Sequence, residues 1–287
     1  MVTIEFKQRV IEALKEDLKN YPSAAKQAVT LGLNPAQLSR ISKGETEQVI
    51  ADASWMSIAR RLDVSFNKES KWITASTPVF EYINNQLLDC KNKSISGILC
   101  DDADIGKTHA AKHFVKSHKN TIYIDCSQVK SKQKLIRQIA KEFGCTHTGK
   151  YADVYEDLVY YLRSIDAPLV VLDEAGDLDY PAFLEIKALW NATEGSCAWY
   201  LIGADGLKSK IRSNIDRKKV GYTEIFSRFG NRYQKIVDEG LDARILFNKT
   251  QVALIVKANR PEADIQRVYA KTNGSLRRIK TELQKTN

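Results

Sequence analysis

Several things are missing from this sequence, and each absence removes a class of protein. No apolar run approaches the roughly 18 residues that a membrane-spanning helix needs, so a helical membrane protein is not expected. Glycine and proline are sparse, at 14 and 6 in 287 residues, and no low-complexity tract occurs, so the chain is expected to fold throughout. The opening stretch, MVTIEFKQRVIEALKEDL, mixes charge with apolar residues and lacks the apolar centre of a signal peptide. Cysteine offers no scaffold either. Cys90, Cys100, Cys126, Cys145 and Cys197 are odd in number and fit no zinc spacing, which points to buried thiols in a reducing cytoplasm.

What is present is enough apolar material, 43% of residues, for two domains, together with a formal net charge of +9. The positive excess is unevenly placed. Residues 1–65 hold nine Lys/Arg against eight Asp/Glu, whereas 106–142 hold nine against two and 205–235 hold nine against three. A polyanion is the expected partner, met by the middle and late parts of the chain.

The stretch CDDADIGKTHAAKHF, residues 100–114, carries the first chemistry. An apolar strand-type run, SISGILC, leads into it, and THAAKHFVKSH reads as a helix behind Gly106-Lys107-Thr108. Strand, loop, Gly-Lys-Thr and helix follow in the order of a phosphate-binding loop. Backbone N–H groups at a helix start hold phosphate oxygens, Lys107 neutralises the β- and γ-phosphates, and the Thr108 hydroxyl ligates Mg²⁺. The candidate nucleotide-binding residues are Ile105, Gly106, Lys107, Thr108 and His109. The first glycine of the motif is replaced by Asp101, on the expectation that Asp tolerates positive φ. Asp101, Asp102 and Asp104 would repel phosphate, so their side chains are expected to point outward or towards the water shell of the metal.

APLVVLDEAGDLD, residues 167–179, reads as a fully buried parallel strand ending in Asp173-Glu174, with a further strand, NTIYIDCS, before it. An open α/β sheet places ligands at such carboxyl ends. Asp173 is the second metal-holding candidate, and Glu174 the general base that polarises water. The next strand, CAWYLIGADG, brings Asp205 to the place where ATPases of this build sense the γ-phosphate, with Ala204 as the alternative register. In YTEIFSRFGNRYQKI, Arg228 is the candidate finger for a neighbouring subunit's nucleotide and Arg232 the reserve. TNGSLRRIK places Arg277 at the start of a C-terminal helix able to reach the same nucleotide.

The front of the chain reads as short helices. In SAAKQAVTLGLNPAQLSRISKG a helix ends at Gly32 and a second begins at Asn34-Pro35, with Gln37 completing a capping box. Leu38 and Ile41 face Ala28 and Leu31, leaving Gln37, Ser39, Arg40 and Lys43 outward as candidate DNA contacts of a helix-turn-helix.

Together these pieces resemble the AAA+ ATPases of the phage Mu B type, which choose target DNA for transposition. The resemblance spans nearly the whole chain and rests on Gly106-Lys107-Thr108, Asp173-Glu174, the SRFG arginine and GSLRR; it departs at Asp101. It implies an α/β AAA+ P-loop fold with a parallel sheet and helical lid, behind a small all-α helix-turn-helix domain. The expected division is 1–65 for that domain, 66–78 for a linker, 79–240 for the ATPase core and 241–287 for the lid. It also implies ATP and Mg²⁺ as cofactors, slow hydrolysis stimulated by DNA or transposase, and a helical homo-oligomeric filament on double-stranded DNA. Such a filament delivers target DNA to a transposase in a bacterial or phage-derived cytoplasm, with no membrane involved. Lys130, Lys132 and Lys134, just after the second strand, are the candidate DNA track, and Arg228 would act in trans. Two rival readings stay open: a helicase loader or initiator, and a DNA-binding regulator that uses ATP only as an assembly ligand. A metabolic kinase would leave the front helices and the basic blocks without purpose.

Overall fold

Side-chain caps start the first three α-helices of the chain. The computed structural model describes residues 2–65, 72–238 and 240–285. Thr3 accepts from the Phe6 N–H at the start of α1 (Ile4–Asp17), and Ser23 from the Lys26 N–H at α2 (Ala24–Leu31). At α3 (Pro35–Ser42) the Asn34–Gln37 capping box forms as the residue types require, and α2 ends on Gly32 at φ 70°, a conformation that favours glycine. With α4 (Asp52–Arg61) these helices enclose a core of Phe6, Val10, Leu14, Ala28, Leu38, Ile41, Trp55 and Ile58.

The linker expected over 66–78 falls partly outside the described residues, at 66–71. From Pro78 a helix begins again, α5 (Pro78–Lys93), capped by Thr77. Four apolar segments then pair as parallel strands: β1 (Gly97–Cys100), β2 (Thr121–Asp125), β3 (Leu169–Asp173) and β4 (Ala198–Gly203). Their order across the sheet is β1-β4-β3-β2, so each chain crossover carries a helix. Gln234 adds an isolated parallel bridge outside β1, its N–H donating to the Ile98 carbonyl at 2.8 Å.

Period-two alternation sorts the strand residues between two helical layers. Leu99, Val171, Tyr200 and Ile202 face α5 and α6 (Lys107–Ser117). Ile98, Ile124, Leu172 and Leu201 face the opposite layer, built from α7 (Lys132–Glu142), α8 (Tyr151–Ser164), α9 (Tyr180–Ala192), α10 (Asp205–Asp216) and α11 (Tyr222–Arg228). The strands therefore read as unbroken apolar runs because both faces are covered. All five cysteines are buried free thiols, and burial raises every one of them, Cys90 and Cys100 up to about 12.

The chain closes with α12 (Leu241–Asn259), α13 (Ile265–Thr272) and α14 (Leu276–Lys285), a small layer with its own core of Val252, Val256, Val268 and Ile279. Trp72 and Ala75, from the segment before α5, pack into it. The front helices seat on the edge formed by α6 and α7. Thr30, fully buried, donates to the Lys141 carbonyl at 3.0 Å, Arg61 pairs with Glu142 at 2.6 Å, and Asn20 donates to the Lys116 carbonyl at 3.0 Å. Among the described residues no helix is long and apolar enough to cross a membrane.

Candidate active site

The loop between β1 and α6 turns on Gly106, at φ 100°, which is the N-cap of α6 and offers no side chain to cap it. The first N–H groups of α6 have no intrahelical partner and face the loop, where the positive end of the helix dipole favours an anion. Lys107, itself 9% exposed, turns its ammonium into the loop and donates to the carbonyls of Asp101, at 2.8 Å, and of Asp102. Burial lowers its pKa, opposed by Asp101, Asp173, Glu174 and Asp102.

Pairing of β1 with β4 and of β4 with β3 carries the end of β3 to the same place. Thr108 Oγ1 donates to Asp173 Oδ2 at 2.6 Å, and the Glu174 N–H donates to Asp173 Oδ1 at 2.9 Å. Asp173 is 2% exposed, so its charge rests on these donors. A third comes from Tyr123 on β2, whose hydroxyl donates to Asp173 Oδ2 at 2.8 Å. Burial and the Asp173 charge raise the Tyr123 pKa, which keeps the phenol a donor. Glu174 itself is exposed, at φ 51°, and partial burial followed by the Asp173 charge raises its pKa.

These groups border a cleft of about 620 Å³ between the sheet's carboxyl edge and α12–α14. Gly106, Lys107, Thr108, His109, Asp173, Glu174 and Arg277, all expected from the sequence, line it. His109 bonds Thr74 at 3.0 Å, and burial followed by the charges of His113 and nearby lysines lowers its pKa, which favours the neutral ring. Ile105 instead buries its side chain in the core and presents its carbonyl. The residues fit a magnesium nucleotide. Mg²⁺ takes one or two protein oxygens beside substrate phosphates, and the hydroxyl of Thr108 against the carboxylate of Asp173 is such a pair. Among the described residues no cluster of three His, Cys, Asp or Glu side chains would hold a metal unaided.

Sequence reasoning missed the opposite wall, Trp72, Phe80, Ile255 and Leu276, and two cations, Lys112 and Lys280. Helical periodicity would have found the cations, because Lys112 follows Thr108 by four residues and Lys280 follows Arg277 by three. Nothing local marks Trp72, which reaches the cleft by packing on the lid helices.

The loop carboxylates do not behave as the sequence suggests. Asp101 is not at positive φ; the loop's left-handed carboxylate residue is Asp104, at φ 62°. Nor does Asp101 point outward. It is 1% exposed, and its Oδ2 accepts the N–H groups of Ile236 and, at 3.0 Å, Val237, while Oδ1 accepts that of Asp102 at 2.8 Å. A buried carboxylate with three backbone donors ties the loop to the strand-like segment after Gln234, a task glycine would leave undone. Asp102 pairs with Arg244 of α12, and Asp104 accepts the Ser275 hydroxyl at 2.6 Å.

The remaining expected residues are more dispersed. Ala204, not Asp205, stands in the cleft wall, and Asp205 opens α10 at the surface. Strand pairing puts the residue after Gly203 at the sheet edge, and the next one turns away with the helix. Arg228 ends α11, donates to Asn191 at 2.7 Å and lies 5.3 Å from the Trp190 ring; Arg232 is exposed in the loop that follows. On α3, Ser39, Arg40 and Lys43 are exposed, with Arg40 paired to Glu45 at 2.8 Å, while Gln37 is half-buried and spends its amide on the cap and on the Val49 carbonyl. Lys130 pairs with Asp177 at 2.9 Å and Lys132 with Glu185 at 3.1 Å, and Lys134 is exposed.

A parallel sheet in this order, a phosphate loop and an acid pair at its carboxyl edge define an AAA+ ATPase domain, and residues 94–211 match the sequence profile of the AAA domain family. Over 125 residues, 43% of the chain, it is 26% identical to the Mu-like prophage FluMu DNA transposition protein B of Haemophilus influenzae. The match spans 42% of the relative's length. In fold the chain is also similar to the Orc1 protein of Aeropyrum pernix, solved in complex with DNA, with a TM-score of 0.52 at 16% identity over 73% of this chain and 58% of that one.

Proposed function

We propose that this chain is an ATP-dependent DNA-binding ATPase that assembles on double-stranded DNA and delivers target DNA to a transposase, in the cytoplasm of a bacterium. The observation that carries the reading is the meeting of Lys107, Thr108, Asp173 and Glu174 in one cleft bordered by Arg277. In this reading Lys107 leaves its loop carbonyls for phosphate oxygens, and Thr108 with Asp173 holds Mg²⁺. Bound Mg²⁺ supplies charge neutralisation on the phosphates. Glu174 takes the proton of the attacking water, and partial burial, which raises its pKa above that of an ordinary glutamate, makes it a stronger base.

The link to DNA rests on the positive blocks of 106–142 and 205–235 and on the relative's role in transposition. Lys134 and, on the front helices, Ser39, Arg40 and Lys43 offer exposed groups to a duplex. Arg228 is the residue we assign to a neighbouring protomer's nucleotide, released from Asn191 on assembly.

The test combines hydrolysis rates with and without duplex DNA and electron microscopy of the protein on DNA, with and without a non-hydrolysable ATP analogue. DNA-stimulated hydrolysis and analogue-dependent filaments are expected. Absence of nucleotide uptake would overturn the ATPase reading, and uptake without assembly on DNA would overturn the filament.

A further inference from the structure

Helices α12 and α14 touch the phosphate loop at Asp102, Asp104, Ile105 and Gly106. Asp102 pairs with Arg244 on α12. Gln251 of α12, 1% exposed, donates to the Ile105 carbonyl at 3.1 Å. A Cβ at Gly106 would lie 3.3 Å from the Leu276 side chain. Asp104 makes the most specific contact. Its Oδ2 accepts the Ser275 hydroxyl at 2.6 Å, its Oδ1 accepts the backbone N–H of Arg277 at 3.3 Å, and the Arg277 guanidinium lies 3.7 Å from the same oxygen.

This arrangement is a helix cap shared between the local Ser275 and a carboxylate supplied from elsewhere in the chain. Helix α14 begins at Leu276 with no acidic residue in its first turn, and its early N–H groups need an acceptor. A carboxylate placed there satisfies a donor and complements the helix dipole. Ser275 Oγ accepts the Arg278 N–H at 3.4 Å, and the acceptor for the Arg277 N–H and for the Ser275 hydroxyl itself is Asp104, 171 residues before Ser275, on the loop that the nucleotide's phosphates would occupy. The left-handed backbone at Asp104 directs its side chain to the lid while its peptide stays in the loop.

Resting on the nucleotide-site reading above, we propose that Asp104 is a positioning residue. It caps α14 from the phosphate loop and so holds Arg277 at the cleft before nucleotide arrives, with Asp102 and Arg244 as a second tie on α12. Its negative charge is taken up by Ser275, the α14 terminus and Arg277, which removes much of the repulsion a loop carboxylate would exert on phosphate. ATP, which carries the extra phosphate for Arg277 to meet, gains from this placement more than ADP does.

The decisive variant is Asp104→Gly, because glycine adopts φ 62° without strain while removing the side chain that carries the carboxylate. Asp104→Asn keeps an acceptor at that φ and serves as the rescue. In nucleotide-free protein, amide hydrogen exchange across residues 276–279 is expected to speed up about tenfold in Asp104→Gly and less than about threefold in Asp104→Asn, with α6 unchanged. The preference for ATP over ADP in equilibrium binding is expected to fall about fivefold in Asp104→Gly, and no further when Arg277→Ala is added, because both changes remove the same placement. Unaltered exchange at 276–279 would overturn the cap. Altered exchange with an unaltered ATP:ADP preference would overturn its role in placing Arg277. A wild-type protein that binds no nucleotide would instead sink the underlying site, and the exchange measurement still reads the cap by itself.

Discussion

Thr108 Oγ1 and Asp173 Oδ2 lie 2.6 Å apart, although 65 residues separate them in the chain. The first sits at the start of α6 and the second at the end of β3, and only the insertion of β4 between β1 and β3 makes them neighbours. In the function proposed above, this pair is the metal-holding half of a nucleotide site, and the lysine beside Thr108 is the phosphate-holding half. The predictions below probe each half and its surroundings.

Lys107→Ala removes the only side chain donating to the loop carbonyls of Asp101 and Asp102 among the bonds described. Nucleotide affinity is expected to drop at least ~100-fold, in line with about 3 kcal/mol for charge-assisted contacts. Titration with a fluorescent ATP analogue measures it. ATP-dependent DNA binding should be lost as well, and DNA binding unchanged in this variant would remove nucleotide from the mechanism.

Glu174→Gln should retain ATP while turnover falls by roughly 10²–10⁴, the usual contribution of a general base. Filaments formed with ATP should persist longer. The pKa of Glu174 is raised above its ordinary 4.5, so folding favours the protonated form and ionisation works against stability at higher pH. The variant is therefore expected to melt slightly higher than wild type at pH 8, the difference shrinking as pH falls towards 5. For the wild type, the acid limb of the pH–rate profile should lie above that of an ordinary glutamate.

Arg228→Ala should bind nucleotide normally as a monomer and lose turnover by about 10³ or more once assembled. Mixing it with Lys107→Ala protein gives the sharper readout. Each variant carries what the other lacks, so partial recovery of hydrolysis is expected if Arg228 acts across the subunit boundary. No recovery, or undiminished turnover in Arg228→Ala alone, would transfer the role to Arg232 or elsewhere.

Tyr123→Phe deletes one of the donors that hold the buried carboxylate of Asp173. A loss of ~1–2 kcal/mol in unfolding free energy is expected, since a charged acceptor loses a bond without gaining water. ATP binding should also need several-fold more Mg²⁺, because Asp173 is freer to turn away from Thr108. A magnesium titration at fixed ATP checks this.

Lys134→Ala should weaken DNA binding uniformly across sequences and lower the slope of log affinity against log salt by about one unit. An unchanged slope would take α7 out of the DNA track.

Much of this site was legible in the residue order because its parts are local. A strand, a loop, Gly106-Lys107-Thr108 and a helix are consecutive, and hydrophobic periodicity marks β3 and its terminal Asp173-Glu174 without reference to anything else. The Asn34–Gln37 cap was equally readable, since both partners lie within one helical turn. The partners of the loop carboxylates were not. Asp101 answers to a segment 135 residues away, Asp102 to Arg244 at 142, and Asp104 to Ser275 at 171, and no local pattern encodes such distances. Tyr123, Trp72 and the choice of Ala204 over Asp205 depend likewise on which strand lies beside which and on how the lid helices pack. Short-range propensity and periodicity act along the chain and can be read there. The charge pairing that completes the site acts through space, and so it waits on the packing of the sheet and the lid.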